Sequence, residues 1–545
     1  MQSDSSIRWP QIALNAVAER DARIPTHLRL SPDFMAEYRP GADGLMNPEE
    51  LEITDLAQDA TSILQRIRKK ELTAVQVLLA FAKRAAIAHQ LLCCLTEFFM
   101  ESGLARAREL DDYYERTGEL VGPLHGLPIS LKDHIHLAGH KSTAGFSSDL
   151  LQPPATKNAL IAQILYDAGA VFYCKTNLPQ SIMHLETYSF WGQTLNPYNT
   201  NLTPGGSSGG CGALVAFGGS PLSVGSDIGG SVRSPAANCG LWTIKATTWR
   251  VPKGAVSTTV PGADSIVSTL GPLCRSLRDM DLWLSVTINS KPWLQEPHLI
   301  PIPWQVPAAP TWSGSNGRIK IGVMWHDGVV LPQPPIRRAL KALVDVLKTK
   351  PKSFEIIDYT PFKHFEISEL VHELYFIDGG AVVQERAAVT GEPILPLTQW
   401  VVDQPRVKNH SAQEIWEMNI RRDTLRAEYV QHFNGQNVDV VLCPSGAGPA
   451  PALGTCKYWG YTNVWNFLDY PAATFPTGLY ADPAIDLEDT VAHTPMSEAD
   501  AYNSSCYKAS IFTGAPLCLQ LVHRRFHDEL LVKALEEISK LLPLE

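Results

Sequence analysis

A chain of 545 residues that is 45% hydrophobic and 19% charged carries ample material for a packed core, which excludes disorder on a large scale. Its net charge of -10 lacks the concentrated positive charge that nucleic acid or an anionic membrane surface requires, so neither is an expected partner. The ten cysteines are dispersed, several within apolar runs and none in a Cys-x-x-Cys pair, which points to buried free thiols and away from a zinc site.

The first residues, Met1-Gln2-Ser3-Asp4-Ser5-Ser6, lack the basic-then-apolar form of a secretory signal. No apolar run approaches the ~18 residues needed to cross a bilayer, so a cytoplasmic protein is expected. Residues 1–50 mix helix-like fragments with Pro25, Pro32, Pro40 and Pro48 and read as an extension packed on one domain, 51–545. Asp55 with Gln58, and Thr73 with Gln76, each match a capping box, and Leu72 and Gly103 mark breaks. The second helix carries Val77, Leu78, Phe81 and Ala85 on one face, as a core-packed helix does. Arg66, Arg68, Lys69 and Lys70 fall at the end of the first, where cations complement the helix dipole. A polar helix follows over 102–116, closed by Gly118.

Gly122 to Pro128 leads into a strand at 129–131, with Lys132 at its end. Burying an ammonium is costly, so the bare residues favour a surface lysine here. His134 and His136 would share a strand face, with His140 beyond, but no carboxylate or cysteine at typical spacing completes a metal site, so no metal is expected. A helix at 159–168 closed by Gly169, then a strand at 170–174, begins the alternation that builds a sheet covered by helices.

The most unusual stretch runs from Gly205-Gly206-Ser207-Ser208-Gly209-Gly210 to Gly225-Ser226-Asp227-Ile228-Gly229-Gly230-Ser231. A helix over 209–217 carries the chain away by roughly 15 Å at ~1.5 Å per residue. Gly218-Gly219 ends it, and a strand over 221–226 returns about 20 Å. Ser207 and Ser231 therefore meet at one end of the unit although 24 positions separate them. The turn Asp227-Ile228-Gly229-Gly230 allows successive backbone N-H groups to converge on one oxygen, as an oxyanion hole requires. Ser234 as cap, Pro235 as first residue and Gly240 past the end describe a short helix. The run lacks the Gly-Lys-Ser/Thr of a phosphate loop.

Downstream, residues 271–284 continue the domain, and 291–312, rich in proline and tryptophan, read as a long surface connection. Strands are predicted at 319–325, 353–358, 438–444 and 517–522, with helices at 335–347 and at the C-terminus. Tyr458, Trp459, Tyr461, Trp465 and Phe467, within 445–480, would either cap a substrate pocket or pack in the core.

The pattern GGSSGG...GSDIGGSVR, with GPLHGLPISLKD upstream and GAPLCLQLV downstream, resembles the amidase signature family, in particular its fungal acetamidase and general amidase branch. The resemblance spans about residues 50 to 545. It implies an α/β fold, a large mixed central β-sheet covered by helices on both faces, and hydrolysis of a small carboxylic acid amide without a cofactor. It further implies Ser231 as nucleophile, Ser207 as proton relay and Lys132 as base, with a cis peptide at Gly206-Ser207. An oxyanion would be held at Ser207 and by the N-H groups of Ile228, Gly229, Gly230 and Ser231. Asp227 and Arg233 would brace the turn. The segment from Lys175 to Glu186 resembles the one that lines the family's acyl pocket, with Ile182 and Met183 as wall residues or as ordinary core. Monomer and homodimer remain open. For Lys132 to act as a base its pKa must drop from ~10.4 to near 7.5, a bias of about 4 kcal/mol against the charged form.

Two departures stand out. Where relatives carry Gly-Leu-Lys/Arg-Pro-Ser/Thr-x-Gly-Arg, this chain has Thr243-Ile244-Lys245-Ala246-Thr247-Thr248-Trp249-Arg250, and Cys211 follows GGSSGG in place of an acidic or small residue. These changes leave room for acyl transfer or hydrolysis on a specialised metabolite, or for a non-catalytic or partner-dependent relative. An esterase reading of Gly205-Gly206-Ser207-Ser208-Gly209 as G-x-S-x-G fails on context. That elbow follows a strand directly, whereas the turn formers of 196–201 precede it here.

Overall fold

Strand β2 (Pro128–Lys132) and β3 (Val171–Thr176) form the centre of one half of the molecule, and every residue of both is buried. Burial on both faces is what near-continuous apolar strands of a helix-covered sheet undergo. In β3, Val171 and Tyr173 join the apolar layer on one side while Phe172 joins the layer on the other. The structure is a computed structural model that describes residues 8–31, 45–489 and 494–544. The signal-lacking start Met1–Ser6 and the prolines Pro32 and Pro40 lie outside the described residues.

The remaining strands are β1 (Leu95–Phe98), the short hairpin β4 (Tyr188–Ser189) and β5 (Gly192–Gln193), β6 (Leu222–Asp227), β7 (Trp242–Lys245), β8 (Thr269–Cys274), β9 (Ile319–Val323), β10 (Phe354–Asp358), β11 (Val440–Pro444), β12 (Ala472–Tyr480) and β13 (Pro516–Val522). Eleven of the thirteen described strands, all but β4 and β5, make one sheet in the order β1-β3-β2-β6-β8-β7-β12-β13-β11-β9-β10. It is mixed: β2 runs parallel to β3 and β6, and β9 to β10 and β11, whereas the pairs linking these groups are antiparallel. Helices Ala60–Arg68, Leu277–Asn289 and Asp528–Ser539 cover one face, and Ala74–Leu92, Met100–Thr117 and Gly209–Phe217 lie in the layer on the other. The α/β architecture expected from the sequence is the one observed.

Local differences have local causes. The capping box of Thr73 and Gln76 is formed, with reciprocal bonds of 3.1 and 2.8 Å. Asp55, in contrast, accepts from Ala57 N in a turn, and the helix starts later, capped by Asp59 on Ser62 N at 2.8 Å. Gly103 does not break its helix but lies inside Met100–Thr117. A Cβ there would stand 2.9 Å from the Phe172 carbonyl, so the glycine permits close packing on β3. The helix expected to begin at Pro235 is Arg233–Asn238, because Val232 already occupies the cap position. Within 291–312, Trp304 is buried and donates Nε1-H to Asp281 at 2.7 Å, so the connection is pinned to the fold at that point. In the N-terminal part, the helix Trp9–Ala22 is tied to β1 by Arg20, which donates to the carbonyls of Leu95 and Trp191.

Candidate active site

Lys132 ends β2, and β6 beside it runs parallel, with Leu131 opposite Val224. That register sets the lysine against the last residues of β6. The side chain has no exposed surface, and Nζ donates to Ser207 Oγ at 2.7 Å and Ser226 Oγ at 3.1 Å. Both partners are neutral hydroxyls. Burial drives the pKa of Lys132 down from 10.5 to about 7, only partly opposed by the negative charge of Asp227. The lysine that the bare sequence could have left at the surface is thus an interior amine close to neutrality.

Ser207 precedes the helix Gly209–Phe217, whose bounds match the expectation, and the Gly206-Ser207 peptide is cis. Ser208 N donates to Ser231 O at 3.1 Å, which joins the two serine-ended segments. Gly225 belongs to this contact: a Cβ there would lie 2.6 Å from Ser208 Oγ.

The turn 227–231 is held from below. Asp227, fully buried, receives Arg233 Nε at 3.1 Å and Nη2 at 3.0 Å. Burial would raise its pKa, but the guanidinium charge and hydrogen bonds to Arg233 and Asn466 outweigh that and hold it well below the ordinary carboxylate range. Asp227 also accepts from Gly230 N at 2.9 Å and Val232 N at 3.2 Å. The Gly230 N-H, expected from the sequence to face an oxyanion, is thus already engaged by this carboxylate. The N-H groups of Ile228, Gly229 and Ser231 have no acceptor among the described residues. Two side chains hold the carbonyls of the turn: Tyr375 donates its hydroxyl to Ile228 O, and Thr462 Oγ1 donates to Gly229 O at 2.6 Å. With those carbonyls engaged, the free N-H groups are the donors left for a substrate oxygen.

Ser207, Ser226, Ser231 and Ile228 open on a cavity of about 400 Å³, with Ile182 and Met183 in its wall. The aromatic residues of 445–480 are elsewhere. Trp459, Tyr461, Trp465 and Phe467 are buried in the core, and Tyr458, Trp459 and Tyr461 border a separate small cavity beyond Thr462. Of the two alternatives for this segment, packing is the one realised, because 460–467 coils into a helix with every residue buried. The wall comes instead from 249–270, including Trp249, Lys253, Val260 and Asp264. His134 also borders the cavity, its Nδ1 facing the Ser257 carbonyl at 3.1 Å.

The amidase family model matches residues 76–532. The chain belongs to the amidase family. It is 44% identical, over 98% of its length and all of the relative's, to a Schizosaccharomyces pombe protein provisionally named as an amidase. An acetamidase of Emericella nidulans is 34% identical over 98% of both chains. Among solved structures, a fatty acid amide hydrolase matches all of this chain and 98% of its own with a TM-score of 0.91 at 33% identity. The enzyme is therefore a hydrolase acting on amide C-N bonds. No helix among the described residues is long and apolar enough to cross a membrane.

Within this amidase the unusual run 243–250 is stapled by carboxylates. Thr247 gives N-H and Oγ1-H to Asp528, both at 2.7 Å, Thr248 gives the same pair to Asp469, both at 2.8 Å, and Arg250 forms a fork with Glu529 at 2.6 and 2.9 Å. Threonines supply the N-H donors that a proline would remove. Cys211 is buried with its thiol 3.0 Å from Thr176 Oγ1, and burial pushes its pKa up, so it stands near Lys132 as a neutral group. Sequence reasoning missed Ser226, Tyr375 and Thr462. Ser226 stood inside the glycine-rich run, directly before the residue expected to brace the turn, and that adjacency was its one signal. Tyr375 and Thr462 lie 147 and 233 positions from the carbonyls they hold, in segments with no motif of their own.

Proposed function

We propose that the chain hydrolyses a carboxylic acid amide through an acyl-enzyme formed on Ser231, with Ser207 as relay and Lys132 as base. The observation that carries this reading is an amine with no exposed surface and a pKa of about 7, bonded only to serine hydroxyls. Holding it there costs ~5 kcal/mol relative to a solvated lysine, an expense that a merely structural lysine avoids by pairing with a carboxylate.

In the neutral state Nζ donates to Ser226 Oγ and turns its lone pair to the Ser207 hydroxyl. The proton of Ser231 passes to Ser207 Oγ while the proton of Ser207 passes to Lys132, and Ser231 Oγ attacks the amide carbonyl. The helix Gly209–Phe217 begins just past Ser207, and its N-terminal partial charge opposes protonation of the amine. The N-H groups of Ile228, Gly229 and Ser231 take the oxyanion, each donor worth ~3 kcal/mol. The proton returns through Ser207 to the departing nitrogen. Water then cleaves the ester by the same relay.

A cavity of about 400 Å³ lies within the size range of small-molecule sites and accommodates more than acetamide. The substrate in this reading is a small amide with a sizeable acyl or amine part. The run 243–250 alters the cavity wall and leaves the contact between Lys132 and Ser207 untouched, which favours a change of substrate over a loss of catalysis. Residues 51–545 act as one catalytic domain that carries the N-terminal extension, in the cytoplasm, without nucleic acid or metal.

The test is a panel of amides from acetamide to aryl and long-chain amides, scored by ammonia or amine release with Ser231→Ala as blank, alongside fluorophosphonate labelling. Ser207→Ala should still label slowly at Ser231. Labelling at Ser207 instead, or release undiminished in Ser231→Ala, would sink the assignment.

A further inference from the structure

The cavity wall contains backbone that side chains ordinarily avoid. Trp249 has φ 68°, and Ser181 and Ile182 across the cavity have φ 70° and 61°. Bulky and β-branched residues are outliers in this left-handed region, and such outliers cluster where a binding surface needs them. At Trp249 the consequence is an indole on the cavity wall. The ammonium of Lys253 stands over this indole, 5.1 Å from the ring centroid. The ring of His298 lies 5.4 Å away from the same indole.

Lys253 makes no ion pair within 4 Å among the described residues. Its nearest carboxylate, Glu296, instead receives the backbone N-H groups of Lys253 at 3.2 Å and Gly254 at 3.0 Å. The half-buried ammonium feels the charge of Glu296 at longer range but has no ion pair within 4 Å, so it has coordination to spare, because a cation–π contact satisfies none of its three N-H donors. The other charged residue on the cavity, Asp264, is at the exposed rim, where water screens it. His134, His298 and hydroxyls such as those of Thr258 and Ser268 add to the polar lining, alongside apolar residues such as Ile266 and Leu270.

We propose that Lys253, held against Trp249, receives a carboxylate carried by the amide substrate at the end remote from the scissile bond. The favoured substrates are then monoamides of dicarboxylic acids or similar acidic amides, with an apolar body between the two ends. This rests on the reading of Ser231 as the acylated residue, which fixes where the scissile carbonyl sits.

The experiment compares kcat/KM for the monoamides of straight-chain diacids from succinic to suberic with alkanamides of equal length and with ω-aminoalkanamides. The carboxylate series should be preferred by about tenfold at its best length. That ratio should collapse in Lys253→Met, return in Lys253→Arg, and weaken in Trp249→Gly but not in Trp249→Phe, which keeps a π-face. Calorimetric binding of the same amides to the Ser231→Ala protein reads the subsite independently of turnover and should show the same order. Alkanamide hydrolysis without a carboxylate preference would overturn this inference alone, as would preference for the ammonium series, which would assign the choice to Asp264. If no amide is hydrolysed and Ser231 takes no label, the proposed function fails, and calorimetry still decides for or against the subsite.

Discussion

Lys132 and Lys175 are both without exposed surface, on neighbouring strands, and differ in almost everything else. Lys175 lies opposite Leu131 in the register of β2 and β3, so Lys132, the next residue, faces the other side of the sheet. On its side Lys175 meets the Asp133 carboxylate at 3.5 Å, the Lys141 carbonyl at 2.6 Å and Ser142 Oγ at 2.8 Å. Lys132 meets two hydroxyls. One strand position thus separates a compensated structural cation from an uncompensated amine. What marks a buried lysine for chemistry is the absence of a counter-charge and not burial itself.

The largest effect that would break this contrast is on turnover. Lys132→Met should lower kcat/KM for any accepted amide by ~10³- to 10⁴-fold, the scale of general-base catalysis, while circular dichroism stays native. A residual rate near wild type would put Lys132 in the same class as Lys175.

The same variant should be more stable than the wild type at neutral pH. Since the folded pKa of Lys132 is about 7 against an ordinary 10.5, the unfolded chain binds more protons between those values, and wild-type stability should rise with pH across that window. The penalty is full below about pH 7 and absent above pH 10.5. Denaturant titrations should therefore find Lys132→Met more stable by ~4 kcal/mol near neutrality, with the gain vanishing toward the upper limit.

Lys175→Met should do the reverse. It strands Asp133 without its cation and should cost about 3–5 kcal/mol in the same titrations, while each molecule that remains folded turns over normally. A loss of turnover without a loss of stability would show that the two lysines share a role.

Acid should silence the enzyme through Lys132. Protonation removes the base, so kcat/KM should fall about tenfold per pH unit below about pH 7, and a profile flat down to pH 5 would contradict the assignment. The smallest effect concerns the turn. Thr462→Val frees the Gly229 carbonyl and should lower kcat by about tenfold with KM little changed, as expected when only the transition-state oxyanion loses its geometry.

Much of the site was legible because it is local. Ser207 and Ser231 are joined by a helix and a strand whose lengths nearly cancel, and glycine spacing fixes both turns. Lys132 was legible only by resemblance, since nothing within its strand distinguishes it from Lys175. Gly230 makes a contact that its spacing does not reveal: Asp227, three residues earlier, accepts its N-H. The aromatic segment stayed ambiguous in the sequence, because composition does not separate a pocket lid from a core helix.

Residue order alone dictates most of the turns and the meeting of two serines at one end of a helix-and-strand unit, because those outcomes depend on spacing over a few turns. Tertiary structure decided which hydroxyls meet Lys132, which N-H groups stay free, and that Trp249 and Lys253 line the cavity. Each of these depends on sheet register or on loops brought together from distant positions, and a partner's charge acts through distance in space, which residue order does not encode.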